Sequence, residues 1–240
     1  MSTDPIKYAK ERLAEVEEQT RKAAGVRVCV TWEKQTETWL RLFQSSLRDL
    51  NESDRINSMT VFRLSEFWRL LLWIWMNTVW GQYHTTLREM RYVLESLIQA
   101  YYLDMEHPEA TIECRLEILK EMGKWATGSR IIERSRLDNG RRVKQPYLEL
   151  CKYAHGSYEE LEPAITGGDI GWRIRLAFNQ ELFDKCEDFT KRLMDAVYFI
   201  LLRRFPQSAK VAKMDQSILD FLKASNCTLT LSLLDSGQAD

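Results

Sequence analysis

Apolar residues return every three or four positions along most of this chain, the spacing of helices that bury one face. Ile6, Ala9, Leu13 and Val16 follow it among Lys, Glu and Arg, which predicts a helix over 4–24 that leans on a neighbour through a narrow seam. Gly25 should end that helix, and "VRVCV" after it fits no single period. A second helix is expected over 32–50 with Trp39, Leu40, Phe43, Leu47 and Leu50 inward, followed by the polar connection "NESDRIN". The third, over 59–80, is apolar almost all round: Val61, Leu64, Trp68, Leu71, Leu72, Trp75 and Val79 form one stripe, and Phe67, Trp73 and Ile74 spread beyond it. Such a helix is either central in the core or a subunit interface.

Gly81 should break the chain before a fourth helix over 83–104, and Pro108 suits the first turn of a fifth that runs to Trp125. A short helix and an Asp-Asn-Gly turn are expected within 127–145. Pro146 then opens a helix with Tyr147, Leu150, Cys151, Ala154, Tyr158 and Leu161 inward, and "TGGDIG" at 166–171 is a loop. Asn179 is a good N-cap for a long helix carrying Leu182, Cys186, Phe189, Leu193, Val197 and Ile200, with a stop at Pro206. The tail holds one more amphipathic segment at Ile218, Leu219, Phe221 and Leu222, while "CTLTLSLL" alternates like a strand with no partner strand. The prediction is an all-α bundle of about seven to nine helices around a central, very apolar helix. It divides into an N-terminal arm (1–58), a core bundle (59–206) and a C-terminal helix and tail (207–240), or forms one domain throughout.

The fourth helix carries the clearest candidate chemistry. On a wheel, His84, Arg88, Arg91, Glu95 and Tyr102 share a narrow arc beside Leu87, Met90, Leu94, Leu97, Ile98 and Tyr101. Arg91 thus stands at the border of the core, where a charge needs a partner, and Glu95 is one turn away. Two readings follow: an ion-pair network at a helix seam, or an arginine fork for phosphate or carboxylate oriented by Glu95.

Composition narrows the field. Net charge is −1, so nucleic acid or anionic lipid would need a local basic patch. One candidate is 130–144, with Arg130, Arg134, Arg136, Arg141, Arg142 and Lys144 against Glu133 and Asp138; it reads as a solvated surface or as a phosphate and nucleic-acid site without stacking aromatics. The five cysteines are widely spaced, with no C-x-x-C pair, so reduced thiols are expected and neither a metal nor a cofactor is. The charged N-terminus lacks the apolar stretch of a signal peptide, and "LLLWIWM" is too short to cross a bilayer; a cytoplasmic protein without membrane association is expected. The sequence contains no P-loop, dinucleotide fingerprint, H-E-x-x-H or G-x-S-x-G.

The segment "HTTLREMRYVLESLIQAYYLDMEHP", followed by "PYLELCKYAHGSYEEL" and "FNQELFDKCEDFTKRLMDAVYFILLRRFP", resembles uncharacterised archaeal helical proteins over about residues 60–206. More distantly it is similar to the HEPN class of helical bundles, many of them dimeric ribonucleases or toxin and defence components and others catalytically silent. That resemblance implies a HEPN-like core, a homodimer and His155 as a counterpart to Arg88 or Arg91. The nuclease pattern of the class sets Arg four to six residues ahead of His; the positions before His84, His107 and His155 hold no arginine there. A composite site would therefore draw Arg91 and His155 from two helices, with His155 as general acid or base and Arg91 on the phosphate. Three functions stand: an interaction or dimerisation protein, with a protein partner in a defence or stress system; a metal-independent RNase; or a phosphate and RNA binder. Catalysis is left open.

Overall fold

The computed structural model describes residues 5–48, 50–123, 128–135, 137, 140–153 and 178–236, and every regular element among them is a helix. The helices are α1 (Pro5–Arg48), α2 (Glu52–Asn57), α3 (Met59–Val79), α4 (Tyr83–Glu106), α5 (Ile112–Met122), α6 (Ser129–Arg134) and α7 (Gly140–Cys151). After the next described stretch begins come α8 (Gln180–Arg204), α9 (Pro206–Met214), α10 (Gln216–Ala224) and α11 (Thr228–Asp235). These eleven exceed the expected number because short capped helices occupy stretches that read as connections or as a strand.

Local chemistry sets several boundaries. Gly25 breaks α1 into two arms at φ +60° and ψ −170°, a conformation that favours glycine. Gly81, at φ +72°, turns the chain between α3 and α4 where expected. The side chain of Asn179 accepts from the Leu182 amide at 3.0 Å and starts α8. "NESDRIN" is not a mere connection: Asn51 caps the Asp54 amide at 2.8 Å and starts α2. Pro108 lies in the turn before α5, whose N-cap is Thr111, and Gly123 ends that helix short of Trp125. Pro146 stands inside α7, not at its start, so that helix lacks the bond the proline nitrogen would have donated.

The apolar centre is α8 with α4 beside it, not α3. From Ala196 to Leu202 every residue of α8 is buried, and α4 buries Leu87, Met90, Leu94, Leu97, Ile98 and Tyr101 against it. α3 packs one face on α4 and the second arm of α1 through Leu64, Phe67, Leu71 and Ile74. Its other face is open: Phe62 is 47% exposed, Leu72 41% and Trp73 44%. One continuous apolar cluster joins Trp39 and Leu42 of α1, α3, α4, α7 and α8 to Ala209, Leu222 and Leu234 of the last three helices.

"CTLTLSLL" is helical as α11, with Leu229, Thr230, Leu233 and Leu234 buried at helical spacing. Asp195 on α8 holds its start, accepting from the amides of Leu229 and Thr230 at 2.9 Å each and from the Thr230 hydroxyl at 2.7 Å. A cap supplied from another helix converts an alternating sequence into a helix.

The end of α4 carries the most buried charge pair. The Asp104 carboxylate accepts from the Met59 amide at 2.9 Å, the Thr60 amide at 3.0 Å and the Ser58 hydroxyl, and stands 3.2 Å from the Arg115 guanidinium. Arg115 also donates to the carbonyls of His107 (2.7 Å), Pro108 (2.8 Å) and Asn57, fixing the chain around α2 and α5. Removing one member of a satisfied buried pair leaves the other uncompensated. Asp104→Ala should therefore lower unfolding free energy by about 3–5 kcal/mol. Chemical denaturation checks this, and a loss below about 1 kcal/mol, the scale of a surface ion pair, would contradict the role given to it.

Candidate functional site

The predicted polar stripe runs along α4, and the structure splits it. Arg88 is exposed, and among the described residues its bond is within its own helix, 3.5 Å from the Thr85 hydroxyl. Arg91 and Glu95 turn inward and pair at 3.1 Å, with the Glu95 side chain 12% exposed. Glu95 also accepts from the Gly128 amide at 3.1 Å, at the first residue flanking α6. Arg91 donates to the Tyr147 hydroxyl at 3.4 Å, and its guanidinium carbon lies 5.6 Å from the centre of that ring. α4, α6 and α7 thus meet around one ion pair.

Gly128 adopts φ +78°, so the residue that brings its amide to Glu95 is one for which a side chain would be strained. Burial pushes the Tyr147 hydroxyl up to about 12, although the bond from Arg91 pulls the other way. For Arg91, burial opposes the charge, but the Tyr147 bond and the Glu95 charge outweigh it and raise its pKa. The cluster therefore holds Arg91 cationic and Tyr147 neutral, with one Arg91 terminal nitrogen shared by Tyr147 and Glu95 and its Nε buried without a partner among the described residues. His155, expected opposite Arg91, lies outside the described residues, as do Ala154, Tyr158, Leu161 and "TGGDIG".

The basic segment is divided between two helices. Arg130 and Arg134 are exposed on α6, Lys144 of α7 pairs with Glu133, and Arg142 is exposed near Asp195, whose charge it favours. Arg136 and the side chain of Arg141 lie outside the described residues. Arg142 lines a cavity of about 210 Å³ with Gln145, Pro146, Arg192 and Asp195. Arg192 is itself held by Glu149 and Asp188, at 2.8 Å each, and stacks 4.1 Å from the Phe189 ring centre. Acidic side chains thus stand beside Lys144, Arg142 and Arg192.

No group of three or more metal-ligating side chains occurs among the described residues. Cys186 and Cys227 are buried, and burial pushes both thiols up to about 12, so neither supplies a thiolate near neutral pH. Cys114 is exposed and Cys151 half-buried.

A larger opening appears where a packed seam is expected. Trp32, Thr36 and Leu40 of α1 face Trp68, Leu71, Leu72 and Trp75 of α3 across a groove of about 480 Å³, with Glu33 and Glu37 along its edge. On the far side of Leu72, a second groove of about 520 Å³ is lined by Arg69, Leu70, Trp73, Met76 and Glu89. The signal for both was the all-round hydrophobicity of α3, which in sequence left a central position and a subunit interface open. No known family, curated protein or solved structure matches this chain.

If the Arg91–Glu95 cluster is a helix junction, Glu95→Ala should cost about 1–3 kcal/mol of stability by stranding the Gly128 amide and Arg91. Arg88→Ala should stay within about 0.5 kcal/mol, as an exposed side chain does. Equal effects in denaturation would contradict that assignment. Alkylation of the folded protein should modify Cys114 and leave Cys186 and Cys227 intact until denaturant is added; peptide mapping that finds either buried thiol modified first would refute their placement.

Proposed function

We propose that this chain is a helical interaction protein that pairs with a second copy of itself through the outward face of α3. The observation that carries the reading is the second apolar stripe on that helix. Phe62, Leu72, Trp73 and Met76 recur at helical spacing on the side away from the core, and the first three are exposed. Exposed aromatic and aliphatic residues in a row mark an interaction surface more often than chance exposure does.

Self-pairing suits the charges around this stripe. Arg69, with 77% of its side chain exposed, and Glu89 border the same groove with opposite signs. A two-fold axis presents the same patch from both sides, so Arg69 of one copy can meet Glu89 of the other. The polar cluster on α4 gives the ribonuclease reading less support, because Arg91 and Glu95 are engaged by Tyr147 and Gly128. The HEPN-like relationship remains part of the proposal through its dimeric character alone.

Sedimentation equilibrium tests the reading. Wild type should be a dimer at micromolar concentration, and Trp73→Glu should shift it to monomer, by at least about tenfold in dissociation constant, with an unchanged helical circular dichroism spectrum. A wild type that stays monomeric at high micromolar concentration, or a variant that dimerises equally well, would sink it.

A further inference from the structure

We propose that the groove between the second arm of α1 and α3 binds a small organic cation with an apolar body, of the quaternary-ammonium class. Three tryptophans, Trp32, Trp68 and Trp75, line it together with Leu40, Leu71 and Leu72. Indole faces attract cations more strongly than other aromatic rings, and cages of them are a common means of holding quaternary ammonium groups. The chain has eight tryptophans, so gathering three of them on one partly open groove is a concentration that core packing does not require. Trp68 is held in place from behind by Trp39, 6.2 Å away and stacked at 12°, which in turn stacks on Phe43 at 5.1 Å. The wall is thus preorganised.

The edge supplies the sign. Glu33 and Glu37 are both exposed, one helical turn apart on α1, and among the described residues no basic side chain lines this groove. An apolar wall with an acidic edge favours a cation over a neutral or anionic ligand of the same shape. The volume, about 480 Å³, lies within the range of small-molecule sites and exceeds what a bare ammonium group fills, so the ligand carries an apolar body. The indole nitrogen of Trp75 is buried and has no hydrogen-bond partner among the described residues.

The site does not rest on the dimer: the two share Leu72, but Trp73 and Met76 of the dimer stripe lie outside this groove. Butyrylcholine serves as probe, since it combines a quaternary ammonium, an ester oxygen and a short alkyl tail; dimethylbutyl butyrate is its uncharged carbon isostere. Titrations followed by the indole N–H signals in heteronuclear NMR should show saturable shifts at Trp32, Trp68 and Trp75, with Trp73 as reference. The isostere should bind about tenfold more weakly, and the surface double variant Glu33→Gln, Glu37→Gln should lose a similar factor for the cation alone. Trp32→Leu should weaken both. The Trp73→Glu chain should bind butyrylcholine as wild type does. The proposal is overturned by absence of saturable shifts, by shifts at other tryptophans, by equal affinity for the isostere or by an unaffected glutamine variant. Binding by the Trp73→Glu chain alone overturns it too, because the groove would then belong to the contact between copies. So does binding of a lysine-rich amphipathic helix with none of butyrylcholine, which would assign the groove to a protein partner.

Discussion

The Asp104 carboxylate is the constraint on which the placement of α3 depends. It has no exposed side-chain surface, and a carboxylate taken out of water is tolerated only when its oxygens are fully engaged. Here the engagement comes from the first amides of α3, the Ser58 hydroxyl and Arg115 of α5. The negative charge also faces the positive end of the α3 dipole. One group at the end of α4 thereby fixes where α3 begins and how α5 closes back over the chain. The opposite end of the α3–α4 pair is set by Gly81, so the face that α3 turns outward is determined at both ends.

The same device recurs. Glu95 on α4 takes the Gly128 amide in front of α6, and Asp195 on α8 takes the first free amides of α11. Three acids on the two central helices therefore hold the starts of three flanking helices. At Asp195 burial raises the carboxyl's pKa, and the bonds from Leu229 and Thr230 offset that only in part. The charges that first suggest chemistry on α4 belong, at Glu95 and Arg91, to this scheme of helix junctions. That leaves the apolar openings beside α3 as the features the packing does not use.

Much of the helical pattern was legible because its signals are local. Asn179 and Gly81 act within a few residues of where they stand, and the wheel correctly set Arg91 and Glu95 at the border of the α4 core. What escaped depends on distant partners. Nothing local marks Asp104 in the sequence, since neither Ser58 nor Arg115 is adjacent to it. α11 read as a strand because its cap is on another helix, 34 residues before Leu229. Hydrophobicity alone also cannot say which of two apolar helices takes the centre: α8 does, and α3, equally suited by its residues, stands at the side with Trp73 outward. The sequence therefore left α3 open between the core and a subunit interface.

An exposed stripe of this kind on a helix held at both ends is a rigid, preformed surface, and rigidity lowers the cost of association. Fluorine NMR of the chain with fluorotryptophan incorporated examines that surface most directly, since Trp73 lies on it and Trp39 is buried in the core. The Trp73 signal, assigned by substitution, should move with protein concentration through the micromolar range while the Trp39 signal stays fixed. A Trp73 signal that is independent of concentration up to the solubility limit would contradict the interface on α3.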